Sequence, residues 1–487
     1  MLDTGKKLLR IFKDNWKEDF IFDAINGQIY TYENFFKKTI EYKENLVKLG
    51  LKKNDQIVII MNNSVDVVAL YFAALFEGIS IVSIDPLKGK EEMLEILSRV
   101  NYKKIFSNIS ELDFEEIENT ENFKIRNLEV NYLDLTNIFV KIDYDSLFII
   151  TFTSGSTGKS KGVMHSFNNF AFSSEKFSKQ FGFNKTHKFF HNLPMSYIGG
   201  ILNLLILPLI SESKIIISDR FDISKIINFW HEPIKYSANT FWFPPTIISL
   251  LLKLDRGDIG TNYSKKNKII GLVGMAALKE NVKKEFEEKY KIPLFESYAL
   301  SETFFLSTNF PEYDKAGTTG KLLEDVKIEF SQEGEILIDV PWMFLGYIGL
   351  KNDEFFVESK YISGDIGRMD NEGYLQLTGR KKDLIIKGGI NISPKKIEDF
   401  LSKFDFLEEC IAIGVEDEIL GEKIVCFYVT KRSRLDNDII KEINRDIVKN
   451  VGIEYNIDEF VSIDEIPRNL NGKIDRPKMR EIYQNLK

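Results

Sequence analysis

The stretch FIITFTSGSTGKSKGVMHS (148–166) decides how the rest of the chain is interpreted. Its apolar, β-branched start at 148–152 predicts a buried strand. Eight small, Gly or Lys residues follow at 153–160, and then Lys161 and Gly162. A loop this rich in Gly, Ser and Thr can wrap backbone N–H groups and hydroxyls around an anion, while a lysine supplies charge. The stretch therefore predicts a polyphosphate-binding loop that follows a strand, in preference to a flexible surface linker.

The segments before this stretch alternate between strand and helix patterns. Residues 31–49 carry apolar side chains at helical spacing and stop at Gly50. A strand is predicted at 56–61, a helix at 65–79 and a strand at 80–85, and similar strands at 214–219 and 268–273. The acidic segment 107–122 is predicted as a solvated helix and loop. This order indicates an α/β fold with parallel strands and crossover helices.

Past residue 320 the pattern changes. KIEFSQEGEILIDV (327–340) and GRMDNEGYLQLTGR (367–380) predict antiparallel hairpins with Gly in each turn. The later runs EECIAIGVEDE and GEKIVCFYVTK are predicted as βα units. The short charged stretch 380–383 is the predicted boundary between a large amino-terminal domain and a smaller carboxyl-terminal one.

Composition excludes several classes of protein. The chain has 487 residues, 44% hydrophobic and 28% charged, which excludes wholesale disorder. Its net charge of 65 − 73 = −8 argues against nucleic-acid or membrane-surface binding as the main task. The 2 cysteines, Cys410 and Cys426, suit neither a disulfide framework nor a four-cysteine zinc site. With no export signal and no apolar run near the ~20 residues that a membrane span needs, we expect a cytoplasmic protein.

Two other nucleotide-binding motifs fail on spacing. Gly158, Lys159 and Ser160 match the end of a Walker A loop, but that motif needs Gly five residues before Gly158, and position 153 is Thr. No GxGxxG sequence occurs, so a dinucleotide-binding fold is not indicated.

The segment TSGSTGKSKG (153–162) resembles the phosphate loop, usually TSG[ST]TGxPKG, of the adenylate-forming superfamily. That superfamily includes acyl-CoA synthetases, aryl-CoA ligases, luciferases and adenylation domains of peptide synthetases. Ser160 replaces the usual Pro. Further family blocks follow in the expected order: SYALSETF (297–304), SGDIGR (363–368), GRKKDLIIKGGINISP (379–394) and PRNLNGKIDR (467–476). The resemblance spans roughly residues 30–480.

The resemblance implies a fold and an activity. The fold is α/β: a large amino-terminal domain (1–381) has mixed β-sheets flanked by helices plus a β-subdomain, and a small α+β domain (382–487) rotates about a hinge at Lys382. The implied enzyme activates a carboxylic acid as acyl-AMP at the expense of ATP, with Mg²⁺, and then transfers the acyl group to the thiol of CoA. A carrier-protein thiol or another nucleophile is an open alternative acceptor.

The resemblance also implies roles for individual residues. Lys473, Glu302 and Lys161 are expected to be catalytic, with Glu302 as the Mg²⁺ ligand. The residues expected to bind ATP are Thr153, Ser154, Gly155, Ser156, Thr157, Gly158, Tyr298, Ser301, Asp365 and Arg380. Among them Tyr298 would stack on adenine, Asp365 would accept hydrogen bonds from the ribose hydroxyls, and Arg380 would reach the ribose–phosphate region.

The acyl pocket and the thiol-acceptor loop are implied in the same way. The expected pocket residues are Tyr197, Gly199, Gly274, Met275 and Ala276, with 242–245 nearby. The family often has His where Tyr197 stands. The lining lacks a charged group for a second charge on the acid, which favours an aryl or modest-length aliphatic acid. Gly388 and Gly389 would let a pantetheine arm pass close to the backbone.

A third possibility comes from another class of protein, a catalytically silent relative that binds nucleotide as a sensor or scaffold. The presence of Lys473, Glu302, Asp365 and Arg380 argues against it. His165, just after the phosphate loop, is expected to be a packed structural residue. No pattern in the sequence indicates an oligomeric state.

Overall fold

The computed structural model describes residues 3–109, 117–119, 132–153, 160–430, 434–468 and 473–486. The chain forms two compact units. The first comprises Met1–Lys327 and Asp339–Ser359, and the second comprises Ile328–Ile338 and Lys360–Lys487. Each unit combines strands with helices, which confirms the predicted α/β class with a large and a smaller part. The hinge position at Lys382 and the domain boundary after residue 381 stay predictions.

Two β-sheets form the centre of the first unit. Its strands, labelled in chain order with β16 and β17 given below, are β1 (Asp19–Asp23), β2 (Gln28–Thr31), β3 (Gln56–Ile60), β4 (Ser80–Ser83), β5 (Lys104–Ser107), β6 (Ile117–Asn119), β7 (Leu147–Thr153), β8 (Lys161–Ser166), β9 (Lys188–His191), β10 (Lys214–Ile217), β11 (Thr240–Phe243), β12 (Ile270–Val273), β13 (Leu294–Leu300), β14 (Phe304–Thr308), β15 (Lys321–Leu322), β18 (Gly346–Tyr347) and β19 (Phe356–Val357). One sheet has the order β18-β8-β7-β4-β3-β5-β6, and the other has β15-β14-β13-β12-β11-β9-β10-β1-β2.

Helices connect these strands. They are α1 (Thr4–Asp14), α2 (Tyr32–Lys48), α3 (Val65–Glu77), α4 (Lys90–Ser98), α5 (Tyr132–Phe139), α6 (Phe167–Phe181), α7 (Ile198–Ile201), α8 (Leu207–Ile210), α9 (His231–Tyr236), α10 (Pro245–Leu254), α11 (Ile259–Lys266) and α12 (Glu280–Tyr290). The bounds of α3 follow from its capping residues. The Ser64 side chain accepts from the Val67 N–H at the start, and Gly78 adopts a left-handed φ of +67° at the end.

The parallel pairing predicted for the strands in the first third of the chain is confirmed. Strand β3 pairs in parallel with β4 and β5, and β4 pairs in parallel with β7.

The helix predicted at 107–122 is wrong where the structure describes that segment, because 117–119 form β6, which is parallel to β5. Glu118 there pairs with Lys104 across the strands (3.1 Å). Charged residues are tolerated on an edge strand, so this strand lacks the apolar alternation that would have predicted it.

The longest apolar stretch, 201–210, lies inside a buried helical segment. A π-helical turn, Leu202–Ile206, joins α7 to α8, and every residue of these three pieces is buried. The stretch is therefore part of the core of the first unit. In the described parts of the chain, no helix combines the length and apolarity needed to cross a membrane.

The second unit contains the two predicted hairpins and a further small sheet. Its elements are β16 (Lys327–Phe330), β17 (Glu335–Asp339), β20 (Lys360–Met369), β21 (Leu375–Arg380), β22 (Ile385–Lys387), β23 (Ile390–Ile392), β24 (Leu407–Asp417), β25 (Gly421–Thr430), β26 (Glu459–Ser462), α13 (Pro394–Leu401), α14 (Asn437–Asn450) and α15 (Arg476–Leu486). The hairpins β16–β17 and β20–β21 confirm the pattern analysis.

The βα unit predicted at β24 is wrong. Strand β24 pairs antiparallel with β25 along its length, from Leu407 opposite Thr430 to Asp417 opposite Gly421. A parallel crossover needs about a dozen residues or more, and 418–420 permit only a tight turn. Gly421 has a φ of +77°, and the Asp417 side chain accepts from two backbone N–H groups of the turn. The hairpin packs Cys410, Ala412 and Cys426 on one face and Ile411, Ile413 and Phe427 on the other.

Candidate active site

The ends of the predicted phosphate loop lie side by side in the first unit. Strand β7 runs out to Thr153, β8 begins antiparallel to it at Lys161, and these two residues are partners across the strands. Ser154, Gly155, Ser156, Thr157 and Gly158 lie outside the described residues. Arg99 anchors the end of the loop, since its guanidinium donates to the Ser160 carbonyl and lies over the Phe152 ring. The predicted strand before the loop is thus confirmed, at the centre of a sheet.

Lys161 points at two aromatic rings of the same unit. Its ammonium lies 4.2 Å from the centroid of the Phe355 ring and 5.0 Å from that of the Tyr347 ring. The two rings themselves meet edge to face at 4.6 Å. Cation–π contacts of this kind are worth about 0.5–2 kcal/mol and orient the charge without neutralising it. The two rings therefore hold the Lys161 ammonium beside the end of the loop.

Glu302 belongs to the turn between β13 and β14, and its carboxylate is also in contact with Tyr347. The Tyr347 hydroxyl donates to Glu302 Oε1 over 2.7 Å. One buried tyrosine therefore contacts both Lys161, through its ring, and Glu302, through its hydroxyl. Sequence reasoning missed Tyr347, because no spacing rule relates it to either residue. The only local signal is its position after Gly346 in an aromatic-rich segment.

The surroundings of Glu302 fit a magnesium ion held together with phosphates. A carboxylate is a hard oxygen ligand, and Mg²⁺ is commonly bound by one or two carboxylates plus substrate phosphates. Within the described ranges, no group of three or more His, Cys, Asp or Glu residues is arranged to hold a metal ion.

Two further residues that the sequence predicts for nucleotide binding, Tyr298 and Ser301, lie on the β13–β14 hairpin. Tyr298 is buried in β13, opposite Ser307 of β14. Ser301 follows β13, and its carbonyl lies 2.6 Å from His165 Nε2. His165 is fully buried and stacks on Phe304 with ring centroids 4.0 Å apart, so the expectation of a packed histidine agrees with the structure.

Most of the predicted acyl-pocket residues come together. A methyl group on Gly199 would lie 2.8 Å from Tyr197 Cε1 and 3.8 Å from Met275 Sδ. A methyl group on Gly274 would lie 3.1 Å from the indole of Trp242. Met275 has a left-handed φ of +71°, and Ala276, which follows it, is exposed. The two glycines thus lie directly against the aromatic side chains of Tyr197 and Trp242, and neither position accepts an added side chain unless its neighbours shift.

Asp365 and Arg380 are neighbours in the second unit. They are register partners on β20 and β21, and Arg380 Nε lies 2.9 Å from Asp365 Oδ1. The Asp365 side chain is only 6% exposed, whereas that of Arg380 is 47% exposed. The structure therefore brings together two residues that the motifs predict for one ribose–phosphate region.

Lys382 and Lys473 also lie in the second unit and influence each other electrostatically. Burial lowers the pKa of Lys382; Asp383 opposes this effect, while the positive charges of Arg380 and Lys473 add to it. Lys473 begins a short bridged segment, since Ile474 pairs with Arg468. The expected hinge lysine and the expected catalytic lysine therefore belong to one group of charged side chains, which also contains Arg380, Asp383 and Asp365.

Gly388 and Gly389 form the two-residue turn between β22 and β23. Their φ values are +60° and +81°, and added methyl groups would meet nothing within 4 Å. A two-residue hairpin turn with both φ values positive strongly favours glycine. The turn itself therefore requires these glycines, and both face open space, as a loop for an incoming thiol needs.

Comparison with known proteins identifies the family. The model of the AMP-binding enzyme family matches residues 15–348, and that of the AMP-binding enzyme C-terminal domain matches residues 396–473. The chain belongs to the AMP-binding enzymes, which confirms the predicted adenylate-forming superfamily.

Individual relatives and solved structures agree with this assignment. The 2-succinylbenzoate–CoA ligase of Oceanobacillus iheyensis is 26% identical over 473 residues, which cover 93% of this chain and 94% of the relative. The enzyme of the same name from Staphylococcus epidermidis is 26% identical over 92% of each chain. The ATP-bound structure of MatB from Rhodopseudomonas palustris has a TM-score of 0.87 at 22% identity, covering 99% of both chains. An o-succinylbenzoate-CoA synthetase from Bacillus subtilis, in complex with its acyl-adenylate, has a TM-score of 0.80 at 22% identity over 97% of both chains.

Proposed function

We propose that this protein is an ATP-dependent acid–thiol ligase that converts a carboxylic acid into its acyl-CoA thioester. The observation that carries the proposal is the contact of Tyr347 with both Lys161 and Glu302. This contact supports the proposal because it links a cation at the end of the loop predicted to hold phosphates to a carboxylate that could ligate Mg²⁺. The relatives named as CoA ligases support CoA as the acceptor.

The chemistry that these residues serve has two steps. In the first, a carboxylate oxygen bonds to the α-phosphorus of ATP, the bond to the β-phosphate oxygen breaks, and pyrophosphate leaves. In the second, the thiolate sulfur bonds to the acyl carbon, the carbon–oxygen bond to AMP breaks, and AMP leaves. Both steps are needed because a free carboxylate would have to expel oxide, which is a very poor leaving group.

Residues of the first unit would act on the phosphates. Lys161 and the backbone of 153–158 would bind the polyphosphate, and Glu302 would hold Mg²⁺. The metal ion would offset negative charge on the phosphate oxygens as pyrophosphate leaves. Tyr298 would stack on the adenine, and Ser301 would line the same side of the nucleotide.

Residues of the second unit would bind the ribose and assist bond formation. Asp365 would accept hydrogen bonds from the ribose hydroxyls, and Arg380 would lie beside the sugar and phosphate. Lys473 would contact the acid and the α-phosphate, where its ammonium offsets the charge that develops at phosphorus. Rotation of residues 382–487 about Lys382 would then withdraw Lys473 and bring Gly388 and Gly389 to the acyl carbon.

The acid that we propose is aryl or a modest-length aliphatic. At the expected pocket, Gly199 lies against the ring of Tyr197 and Gly274 against the indole of Trp242, which supports an apolar, aromatic lining. Two of the relatives are named for 2-succinylbenzoate, which has an aromatic ring but also a second carboxylate, so the choice of acids must test whether a second charge is accepted. A benzoate, a 2-succinylbenzoate and a hexanoate therefore form the smallest informative panel.

We propose the cytoplasm as the location, in line with the free, buried thiols of Cys410 and Cys426.

The test is acid-dependent exchange of pyrophosphate into ATP, followed by AMP release with and without CoA. We expect exchange with at least one aryl or aliphatic acid and a CoA-dependent increase in AMP release. Glu302→Gln is the matched control, because it keeps the size of the side chain and removes the charge. Absence of exchange with any acid would indicate a silent relative. Exchange without stimulation by CoA would indicate a carrier-protein thiol as acceptor.

A further inference from the structure

The turn that carries Glu302 is held by groups from outside its own hairpin. Three successive backbone carbonyls each accept a hydrogen bond: Ser301 O from His165 Nε2 (2.6 Å), Glu302 O from the Phe344 N–H (3.0 Å) and Thr303 O from the Trp342 Nε1–H (2.7 Å). The next residue, Phe304, has a φ of +53°, in the left-handed region that bulky side chains rarely adopt. Such a conformation persists only where the surroundings enforce it. These three hydrogen bonds therefore fix a turn that its own backbone does not favour.

The tautomer of His165 is fixed by the hydrogen bond that its other ring nitrogen, Nδ1, makes. Asn169 Nδ2 donates to His165 Nδ1 over 3.2 Å, so Nδ1 is the acceptor and the ring proton lies on Nε2. His165 Nε2–H then donates to the Ser301 carbonyl. Burial lowers the pKa of His165 to about 3, so the ring stays neutral and keeps this donor at physiological pH. Asn169 itself is fixed by a second hydrogen bond, to the Met343 carbonyl (2.8 Å).

We propose that His165 is a positioning residue for Glu302, which rests on the proposed role of Glu302 as the Mg²⁺ ligand. His165 lies on β8, the strand that begins at Lys161 directly after the phosphate loop. One strand therefore carries the lysine expected to bind phosphate and also supplies the donor that fixes the turn bearing the carboxylate. Strand β8 therefore contributes to both ends of the separation between the cation and the carboxylate.

Two substitutions separate a donor from a packing residue. His165→Phe keeps a flat ring against Phe304 and removes the donor, whereas His165→Gln keeps an N–H donor on a shorter, non-aromatic side chain. A role in packing alone predicts that the phenylalanine is the better tolerated. A role in positioning predicts the reverse. Phe170→Leu is the matched control, because Phe170 packs on both rings (5.7 Å to His165 and 4.5 Å to Phe304) and makes none of the three hydrogen bonds.

The first measurement is calorimetric titration of ATP into the full-length protein at a series of Mg²⁺ concentrations and in EDTA. We expect His165→Phe to raise the Mg²⁺ concentration for half-maximal ATP binding by about tenfold. Loss of a residue that orients a metal ligand commonly weakens metal binding by this factor. Binding in EDTA should be unchanged. His165→Gln should recover most of the loss, and Phe170→Leu should match the wild type. The proposal would be overturned if His165→Phe needed no more Mg²⁺ than the wild type, or if His165→Gln needed as much Mg²⁺ as His165→Phe.

The second measurement needs no ligand. Amide hydrogen exchange across 298–306 should be faster in His165→Phe than in His165→Gln or Phe170→Leu, because the loss of one carbonyl hydrogen bond loosens the turn. Equal exchange in the three variants would overturn the proposal even if the enzyme is active. Failure of the proposed function would be seen separately: the wild-type protein would then show no acid-dependent exchange of pyrophosphate.

Discussion

Arg476, three residues beyond Lys473, offers a prediction whose size follows from its contacts. Its guanidinium donates to Glu398 Oε1 over 2.7 Å and lies 3.6 Å from Asp383 Oδ2, next to the expected hinge. It also donates to the Ala412 carbonyl. The side chains of Arg476 and Glu398 are only 13% and 14% exposed. Arg476 thus ties the start of α15 to α13 and to β24.

Removal of this arginine should be costly because it leaves a buried carboxylate without its main partner. Breaking a buried ion pair from one side typically costs about 3–5 kcal/mol. Glu398 Oε1 retains the Ala412 N–H as a donor (3.1 Å), so we expect the low end for Arg476→Ala, about 3 kcal/mol. The control is Lys478→Ala on the same helix. Its pair with Glu481 is 53% and 57% exposed, and its loss should cost less than about 1 kcal/mol.

The assay can distinguish the two units. All 4 tryptophans of the chain, at positions 16, 230, 242 and 342, lie in the first unit. Tryptophan fluorescence during urea unfolding therefore reports the first unit, and hydrogen exchange of β24 and β25 reports the second. Arg476→Ala should lower protection in the second unit and leave the fluorescence midpoint unchanged. A loss below about 1 kcal/mol, or an equal loss in Lys478→Ala, would refute the reasoning.

Three further predictions concern the proposed active site. Lys473→Ala should abolish acid-dependent pyrophosphate exchange and spare thioester formation from supplied acyl-AMP; equal loss of both half-reactions would contradict the role of Lys473. Tyr347→Phe removes the hydroxyl 2.7 Å from Glu302 but keeps the ring beside Lys161, so the Mg²⁺ requirement for exchange should rise by about tenfold, and an unchanged Mg²⁺ titration would count against it. His165 has a folded-state pKa of about 3 against an ordinary value of 6.5, so the unfolded state takes up the proton first as the pH falls. Its contribution to stability is complete above pH 6.5 and is lost progressively toward pH 3. His165→Gln should therefore reduce the slope of the unfolding free energy against pH, between pH 6 and pH 4, by up to about 1.4 kcal/mol per pH unit. Chemical unfolding at several pH values measures this slope, and an unchanged slope would contradict the prediction.

The fold was predictable wherever local pattern and tertiary role coincide. Strand β3 is a continuous apolar run in the sequence, and helix α3 is an apolar segment with a capping residue at each end. Both form within a few residues of their predicted bounds. Strand β6 has only three residues at a sheet edge, so burial leaves little mark on its sequence. The pairing of β24 with β25 depends on the length of the connection, which the apolar pattern of each strand does not record.

The grouping of the candidate site residues was predictable where they stand in short sequence motifs. Lys161, Glu302, Asp365 and Arg380 each stand in a short, ordered block, and the structure groups the first two in one unit and the last two in the other. Tyr347 was not predictable, because its two contacts depend on how separate strands are placed in space. The same limit applies to the histidine of β8, whose environment, and not its position after the loop, determines its hydrogen bonds.

The π-helical turn at Leu202–Ile206 gives the first unit a place where chain length can vary. Such a turn holds one residue more than an ordinary helical turn. Loss of one residue there would restore a regular α-helix and leave both flanks packed as they are, whereas a deletion in α7 or α8 would rotate one flank by about 100°. Since α7 begins directly after Tyr197, the chain can lose one residue in this turn while the start of α7 and the neighbouring Tyr197 keep their positions.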